Sequence, residues 1–420
     1  VPRDLNSVAS EPVPHPAIDR AIRATPYRWR DPASIPERRW IYGHQLLRGA
    51  VTVVVAPGAT GKTALMIGTA LALVSGRPLL GKTVWGGPKT VWLWNLEDSG
   101  EELARGLQAA ALHWDIGPDA LDRDGNSRLF VDSGLDGAEL KVAHEMPGGA
   151  RINGPVVSAL VEQLKTNAID VLIVDPFVSS HAVSENDNNA IDMVAKQWAR
   201  VATQTGCAIV LVHHARKLGG EQVSAETARG ASSLIAAARS VLTLNRMSDE
   251  EAPRFGVEGE DRRRYFRVYD DKNNRAPPAD RSDWYRLHSV SLGNGTDGGD
   301  SLPVVVPWSP PDAFEGVSVS HLRAVQERLA SGEYRKNVQA KPWAGEAVAE
   351  VLGLDLSRKA DKARAAELLR TWEVNGAIVT EMKQDGRREQ RPFLVVGQWA
   401  DDEAAAPVTS AARQGAAVGR

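Results

Sequence analysis

The chain has 420 residues, 43% hydrophobic and 25% charged, with a formal net charge of −3. That length leaves room for roughly two or three domains, and the near-balanced charge excludes a general attraction to nucleic acid, so such binding must come from local patches. The single cysteine, Cys207, excludes an internal disulfide framework and a thiolate metal cluster and fits a reducing, cytoplasmic setting.

Residues 1–39 hold Pro2, Pro12, Pro14, Pro16, Pro26, Pro32 and Pro36 and no strong periodicity, which predicts an extended Pro-rich arm. They lack the apolar stretch of a secretory signal. No apolar run approaches the ~20 residues of a membrane span, so no membrane partner is expected. The chain opens at Val1 rather than Met, which leaves room for an upstream segment.

Regular structure begins near Trp40. The apolar run Val51–Val55 predicts a buried strand, followed by Ala56-Pro-Gly-Ala-Thr-Gly-Lys-Thr63. The phosphate-loop pattern G-x-x-x-x-G-K-[ST] asks for Gly where Ala56 stands, and the rest is intact. Gly58 and Gly61 permit tight turns, Lys62 reaches the β- and γ-phosphates, and Thr63 offers a hydroxyl to Mg²⁺. Pro57, Gly58, Ala59, Thr60, Gly61, Lys62, Thr63 and Ala64 are therefore the expected ATP-binding residues. A helix follows from Thr63 to Ser75 and stops at Gly76.

Further strands are predicted at Thr90–Asn95, Leu129–Val131, Val171–Val174, Ala208–Val212, Val241–Leu244 and Tyr265–Val268. Helices are predicted at Glu101–His113, Val156–Lys165 and Ala190–Gln204. Apolar strands alternating with helices indicate an α/β domain, residues 40–300, with a mostly parallel sheet covered on both faces.

After the polar segment Gly293–Asp300 and Pro307, Pro310 and Pro311, a second unit is expected over residues 310–400. Helices around Ala344–Leu352 and Ala360–Thr371 precede two strand-like runs, Ala377–Met382 and Pro392–Val396, the order of a small winged-helix-like α+β domain. From Arg358 to Arg391 there are nine Lys or Arg against six Asp or Glu, a local net charge of +3. Arg387, Arg388 and Arg391 would lie at the wing tip, where they could contact DNA phosphates. The Ala-rich residues 401–420 predict a disordered tail.

Ligands of an open parallel sheet bind beyond the carboxyl ends of its strands, and the chemically capable residues cluster there. Asp175 ends the run Val171–Val174 as a Walker B carboxylate, the partner of Thr63 in holding Mg²⁺. Glu97 follows its strand and is the candidate general base, with Asp98 a weaker one. It could equally be a solvated residue at a helix start. His213 and His214 are adjacent on a strand and point to opposite faces, which is poor chelating geometry. One could sense the γ-phosphate, or either could be a buried, satisfied histidine. Lys217 opens a Gly-rich loop that could grip DNA. Arg229, Arg239, Lys272, Asn274 and Arg275 could reach a neighbouring subunit's γ-phosphate or be ordinary surface residues. Trp92 and Trp94 are simplest as core, and Asn186–Asn189 as a helix start.

Together these residues resemble the RepA-type hexameric replicative helicases, RecA-like, AAA-family P-loop ATPases of plasmids and prophages. The resemblance runs from about Trp29 to Asn294. It rests on Arg39-Trp-Ile-Tyr-Gly43, the phosphate loop, Trp94-Asn-Leu-Glu-Asp98, Asp175-Pro-Phe-Val-Ser-Ser-His181, Val212-His-His-Ala-Arg-Lys217, Arg229-Gly-Ala-Ser-Ser233 and Lys272-Asn-Asn274. It implies a RecA-like P-loop core, Glu97 as base, His214 as γ-phosphate sensor and Arg229 or Arg239 as a trans-acting finger. It also implies ATP and Mg²⁺ at subunit interfaces of a homo-hexamer, single-stranded DNA as partner, and a role in DNA replication beside an initiation partner. The leading expectation is thus an ATP-hydrolysing DNA motor. An ATP-switched DNA-binding regulator with slow hydrolysis is the alternative, and a P-loop small-molecule kinase ranks last because no acceptor site is visible.

Overall fold

A computed structural model describes residues 24–215, 222–225, 232–257, 259–276, 282–384 and 389–400. Lys217, Arg229, Arg387, Arg388 and the segment 401–420 lie outside the described residues. The chain divides into two units, Val1–Arg38 and Arg39–Arg420. In the first, residues 24–38 are exposed, with one short 3₁₀ turn, Pro32–Ser34, that the Asp31 carboxylate caps by accepting from the Ala33 N–H.

The second unit is built on a nine-stranded sheet. Its strands are β1 (Val51–Ala56), β2 (Val91–Asn95), β3 (Leu129–Ser133), β4 (Val171–Asp175), β5 (Ala208–His214), β6 (Ser240–Arg246), β7 (Tyr265–Asn273), β8 (Asp283–Ser291) and β9 (Ser301–Trp308). Their spatial order is β9-β8-β7-β6-β1-β5-β4-β2-β3. The six strands from β6 to β3 are parallel, and β7, β8 and β9 join antiparallel.

The parallel strands are continuous apolar runs because both faces are covered. Every residue of β1 and β4 is buried. On one face, α3 (Gly154–Thr166) and α4 (Asn188–Thr205) bury Leu160, Leu164, Val194 and Trp198 against the sheet. On the other, α1 (Lys62–Ser75) and α2 (Gly100–Trp114) pack with Tyr285, Val304 and Val305 of the β8–β9 pair. Gly76 ends α1 with φ 69°, a left-handed residue that satisfies the last carbonyls without a Cβ penalty.

The sheet continues past the expected boundary at residue 300. Gly293–Asp300 is the connection between β8 and β9, closed by paired Asn294 and Asp300 side chains, and the ninth strand reaches Trp308. These strands escape the apolar pattern because β9 is an edge, where Pro303 and Pro307 are tolerated.

After a short α5 (Ser232–Ala237) and α6 (Glu251–Arg254) within the core, residues between Ala313 and Val396 form a separate apolar cluster. It holds α7 (Val319–Ser331), α8 (Ala344–Leu352), α9 (Lys359–Val374) and the antiparallel pair β10 (Ile378–Gln384) and β11 (Gln390–Val396). Arg335, between α7 and α8, forms an isolated β-bridge with Phe393 beside this two-stranded sheet. α7 was not anticipated: its capping box uses His321 in place of Glu or Gln, with the Ser318 N–H donating to His321 Nδ1. No helix among the described residues is long and apolar enough to cross a membrane.

Candidate nucleotide site

Parallel strands send their carboxyl ends to one edge, and that edge collects the predicted chemistry. β1 runs into the loop 57–61, where Ala59 (φ 57°) and Gly61 (φ 97°) are left-handed. The loop folds on the Pro57 carbonyl, which accepts from Thr60 Oγ1 at 2.8 Å and from Lys62 Nζ at 2.9 Å. Gly61 is the N-cap of α1 and supplies no side-chain cap, so the first N–H groups of that helix face the loop as an anion cradle.

Lys62 is buried inside this cradle, and burial pulls its pKa down against the opposing pull of Asp175 and Glu97. Thr63 Oγ1 donates to Asp175 Oδ2 at 3.0 Å. Asp175 is 3% exposed, and burial raises its pKa to about 6 despite the Thr63 hydrogen bond and the charge of Lys62. A buried carboxylate short of compensating charge, with a hydroxyl on one oxygen, fits a divalent cation held by few protein ligands. Among the described residues no group of three or more His, Cys, Asp or Glu could hold a metal by itself, as expected where nucleotide phosphates and water complete the shell.

Glu97 is placed by its neighbours. The Leu96 N–H donates to the Asp175 carbonyl at 2.8 Å, carrying the β2–β4 register beyond the strands. Asn95 Oδ1 then accepts from the N–H groups of Glu97 (2.8 Å) and Asp98 (2.7 Å), and Asn95 Nδ2 donates to Asp98 Oδ2. Ser133 Oγ, from the end of β3, donates to the Asp98 carbonyl at 2.7 Å. This side-chain turn brings the Glu97 carboxylate to 3.6 Å from His214 Nε2. Burial and the Lys62 charge lower the His214 pKa, partly offset by Glu97.

His213, the adjacent residue on β5, points into the interior beside Phe177 and His181. Burial brings the pKa values of both His181 and His213 down to about 4, so both rings are neutral. The two adjacent histidines thus divide, one facing Glu97 and one the core.

A match to the family model of the AAA domain covers residues 19–220, which takes in the phosphate loop, Glu97, Asp175 and His214. Over these residues the core is similar to the AAA domain. Among solved structures, one described as an ATPase domain aligns over 57% of this chain and 82% of its own, at 14% identity and a TM-score of 0.41. A DnaB-like replicative helicase, described with its interactions with primase, aligns over 57% of this chain and 56% of its own, at 15% identity and a TM-score of 0.42.

The other expected site residues of the ATPase that are described lie apart from this cluster. Arg239 precedes β6, its N–H donating to the Val51 carbonyl at the opposite edge of the sheet. Lys272, Asn274 and Arg275 are at that same edge, because β7 is antiparallel and Asn273 pairs with Ser240. Lys272 Nζ donates to the carbonyls of Ile235 (2.7 Å) and Ala238 (3.2 Å), closing the end of α5. Arg391, in β11, pairs with Glu389.

Arg246 is a residue the sequence reading missed. It ends β6 on the phosphate-loop edge, and its guanidinium donates to the Ala59 carbonyl at the loop tip. A cation two residues past the run Val241–Leu244 was the available signal.

Proposed function

We propose that the chain is an oligomeric, Mg²⁺- and ATP-dependent motor of RepA type that acts on single-stranded DNA, with its ATP sites completed between subunits. The observation that carries this reading is the meeting of Lys62, Thr63–Asp175 and Glu97–His214 at the ends of four neighbouring strands. Magnesium would supply Lewis acidity at the β- and γ-phosphates, held by Thr63 and Asp175. The loop N–H groups and Lys62 bind and orient the triphosphate, and Glu97 takes the proton of the attacking water. His214 is within reach of Glu97 and donates to the γ-phosphate when it is present. In a ring, the opposite edge with Arg239, Lys272, Asn274 and Arg275 is available to the next subunit's site, which would make hydrolysis depend on assembly. The C-terminal unit, read as a winged helix, helps to place the motor on DNA.

The test is ATP hydrolysis with and without single-stranded DNA beside a Lys62→Ala control. Stimulation of about tenfold, roughly 1.4 kcal/mol in barrier, supports the motor. Slow turnover indifferent to DNA sinks it and leaves an ATP-switched DNA-binding regulator, a reading that the contact of the C-terminal unit with the core favours.

A further inference from the structure

α9 is engaged on two sides. Ala365, Leu368, Leu369 and Trp372 face the apolar cluster of the C-terminal unit. Ala360 and Glu367, two turns apart on a second side of the helix, face the ATPase core, while the Arg364 guanidinium donates to the Ala313 and Glu315 carbonyls of the C-terminal unit. What Ala360 and Glu367 meet is α6 and the residues after it. Arg254 pairs with Glu367 at 3.0 Å, and a Cβ at Gly256 would lie 3.0 Å from the Cβ of Ala360.

In a helix-turn-helix unit the second helix of the pair is the one that enters the major groove. α9 follows α8 in that position and precedes the hairpin. Its N-terminal half is basic, with Arg358, Lys359, Lys362 and Arg364 against Asp361. A duplex cannot approach the stripe 360–367 while α6 lies against it.

Resting on the winged-helix reading above, we infer that the α9–α6 contact is an autoinhibitory latch: the C-terminal unit engages duplex DNA only after α9 has left the core. The contact is slight enough to open. It is flanked by clefts of about 970 and 500 Å³, and Arg254 is half exposed in its pair with Glu367, where an ion pair adds little and is screened by salt. Arg358 and Lys359 line the larger cleft, so phosphates could first engage the rim of the latch. The α6 segment also begins just after Arg246, which touches the phosphate loop. Release of α9 and the state of the nucleotide site therefore share one stretch of chain.

The experiment uses the full chain carrying Arg254→Cys and Glu367→Cys. Cys207 is buried, so a short bismaleimide reaches the two introduced thiols, and the same protein capped with N-ethylmaleimide is the open control. Duplex binding is read by fluorescence anisotropy, with DNA-stimulated hydrolysis measured in parallel. The capped form should bind at least about tenfold more tightly than the cross-linked form, equivalent to ~1.4 kcal/mol. Arg254→Glu should likewise bind more tightly than the unaltered chain, and the swap Arg254→Glu with Glu367→Arg should return to the starting affinity.

Equal affinity of cross-linked and capped forms overturns the latch and leaves DNA binding by the C-terminal unit standing. If no form binds duplex while hydrolysis still responds to single-stranded DNA, both the latch and the winged-helix reading fall, and the motor reading survives. Self-association of the capped form without DNA binding makes the stripe a protein contact and also overturns the proposal.

Discussion

The two halves of the nine-stranded sheet are both paired strand to strand, yet they contribute differently to the site. In the parallel half, β1, β2, β4 and β5 all end at one edge, so residues at each strand's end or in the loop that follows it are enough to gather Lys62, Glu97, Asp175 and His214. In the antiparallel half successive strands end at opposite edges, and no four residues can be collected that way. That half instead supports the loop, with Leu287 and Phe266 packed beside Gly61. Strand direction, rather than strand composition, decides which half carries chemistry.

The sharpest way to break this comparison is at Glu97. Glu97→Gln keeps size and hydrogen bonding but removes the base, and should lower hydrolysis by about 10²–10⁴-fold while leaving ATP binding intact. Lys62→Ala should lose binding and turnover together. Binding by fluorescent nucleotide and turnover by phosphate release separate the two outcomes. Near-normal turnover in Glu97→Gln would move the base elsewhere.

The next effect concerns stability. His181 and His213 are neutral in the folded core with pKa values near 4, below the ordinary 6.5. Between those values the unfolded chain binds protons that the folded one does not, so stability falls as pH drops from 6.5 toward 4. The loss should approach about 3 kcal/mol per ring as an upper bound and be complete below pH 4. Urea unfolding across this window should show it, and His213→Gln should flatten the slope. An unchanged slope in that variant would take the acid sensitivity away from His213 and leave His181 as its source.

How far this division could be read from sequence follows the same physics. The phosphate loop, Asp175 and Glu97 were legible because buried parallel strands are unbroken apolar runs and the functional residues follow them within a few positions. β8 and β9 were not, because Arg286, His288, Pro303 and Pro307 interrupt strands that are half covered or at an edge. Nor does composition show that β7 runs backward, which carries Lys272, Asn274 and Arg275 to the far edge, or that Arg246 ends at the near one. Those facts depend on which strands pair. The docking of α9 on α6 is longer in range still and left no mark in the local pattern.

A smaller effect tests the junction between the halves. Gly61 has φ 97°, and a Cβ there would sit 3.1 Å from Leu287 Cδ2. Gly61→Ala should cost about 1–2 kcal/mol through the left-handed backbone and weaken ATP binding. Adding Leu287→Ala relieves the contact but not the backbone. Recovery of binding in the double variant would show that the antiparallel half, rather than the dihedral angle, sets the loop.

The smallest effect is the most discriminating for the far edge. Lys272 spends its ammonium on carbonyls at the end of α5, where a cation stabilises by about 0.3–1 kcal/mol. If it is only a cap, Lys272→Ala should lower stability by that amount and leave turnover per folded subunit unchanged. If it also serves a neighbour's nucleotide, turnover should collapse well beyond the stability loss. Mixing with Lys62→Ala subunits should then restore part of it, because such a mixture pairs an intact phosphate loop with an intact Lys272 across one interface. Arg239→Ala offers the parallel case without the cap, since Arg239 is exposed at the same edge. Collapse and rescue in both variants would make the far edge the second half of a shared site. Collapse in Arg239→Ala with only a stability loss in Lys272→Ala would give Arg239 the chemistry and Lys272 the scaffold.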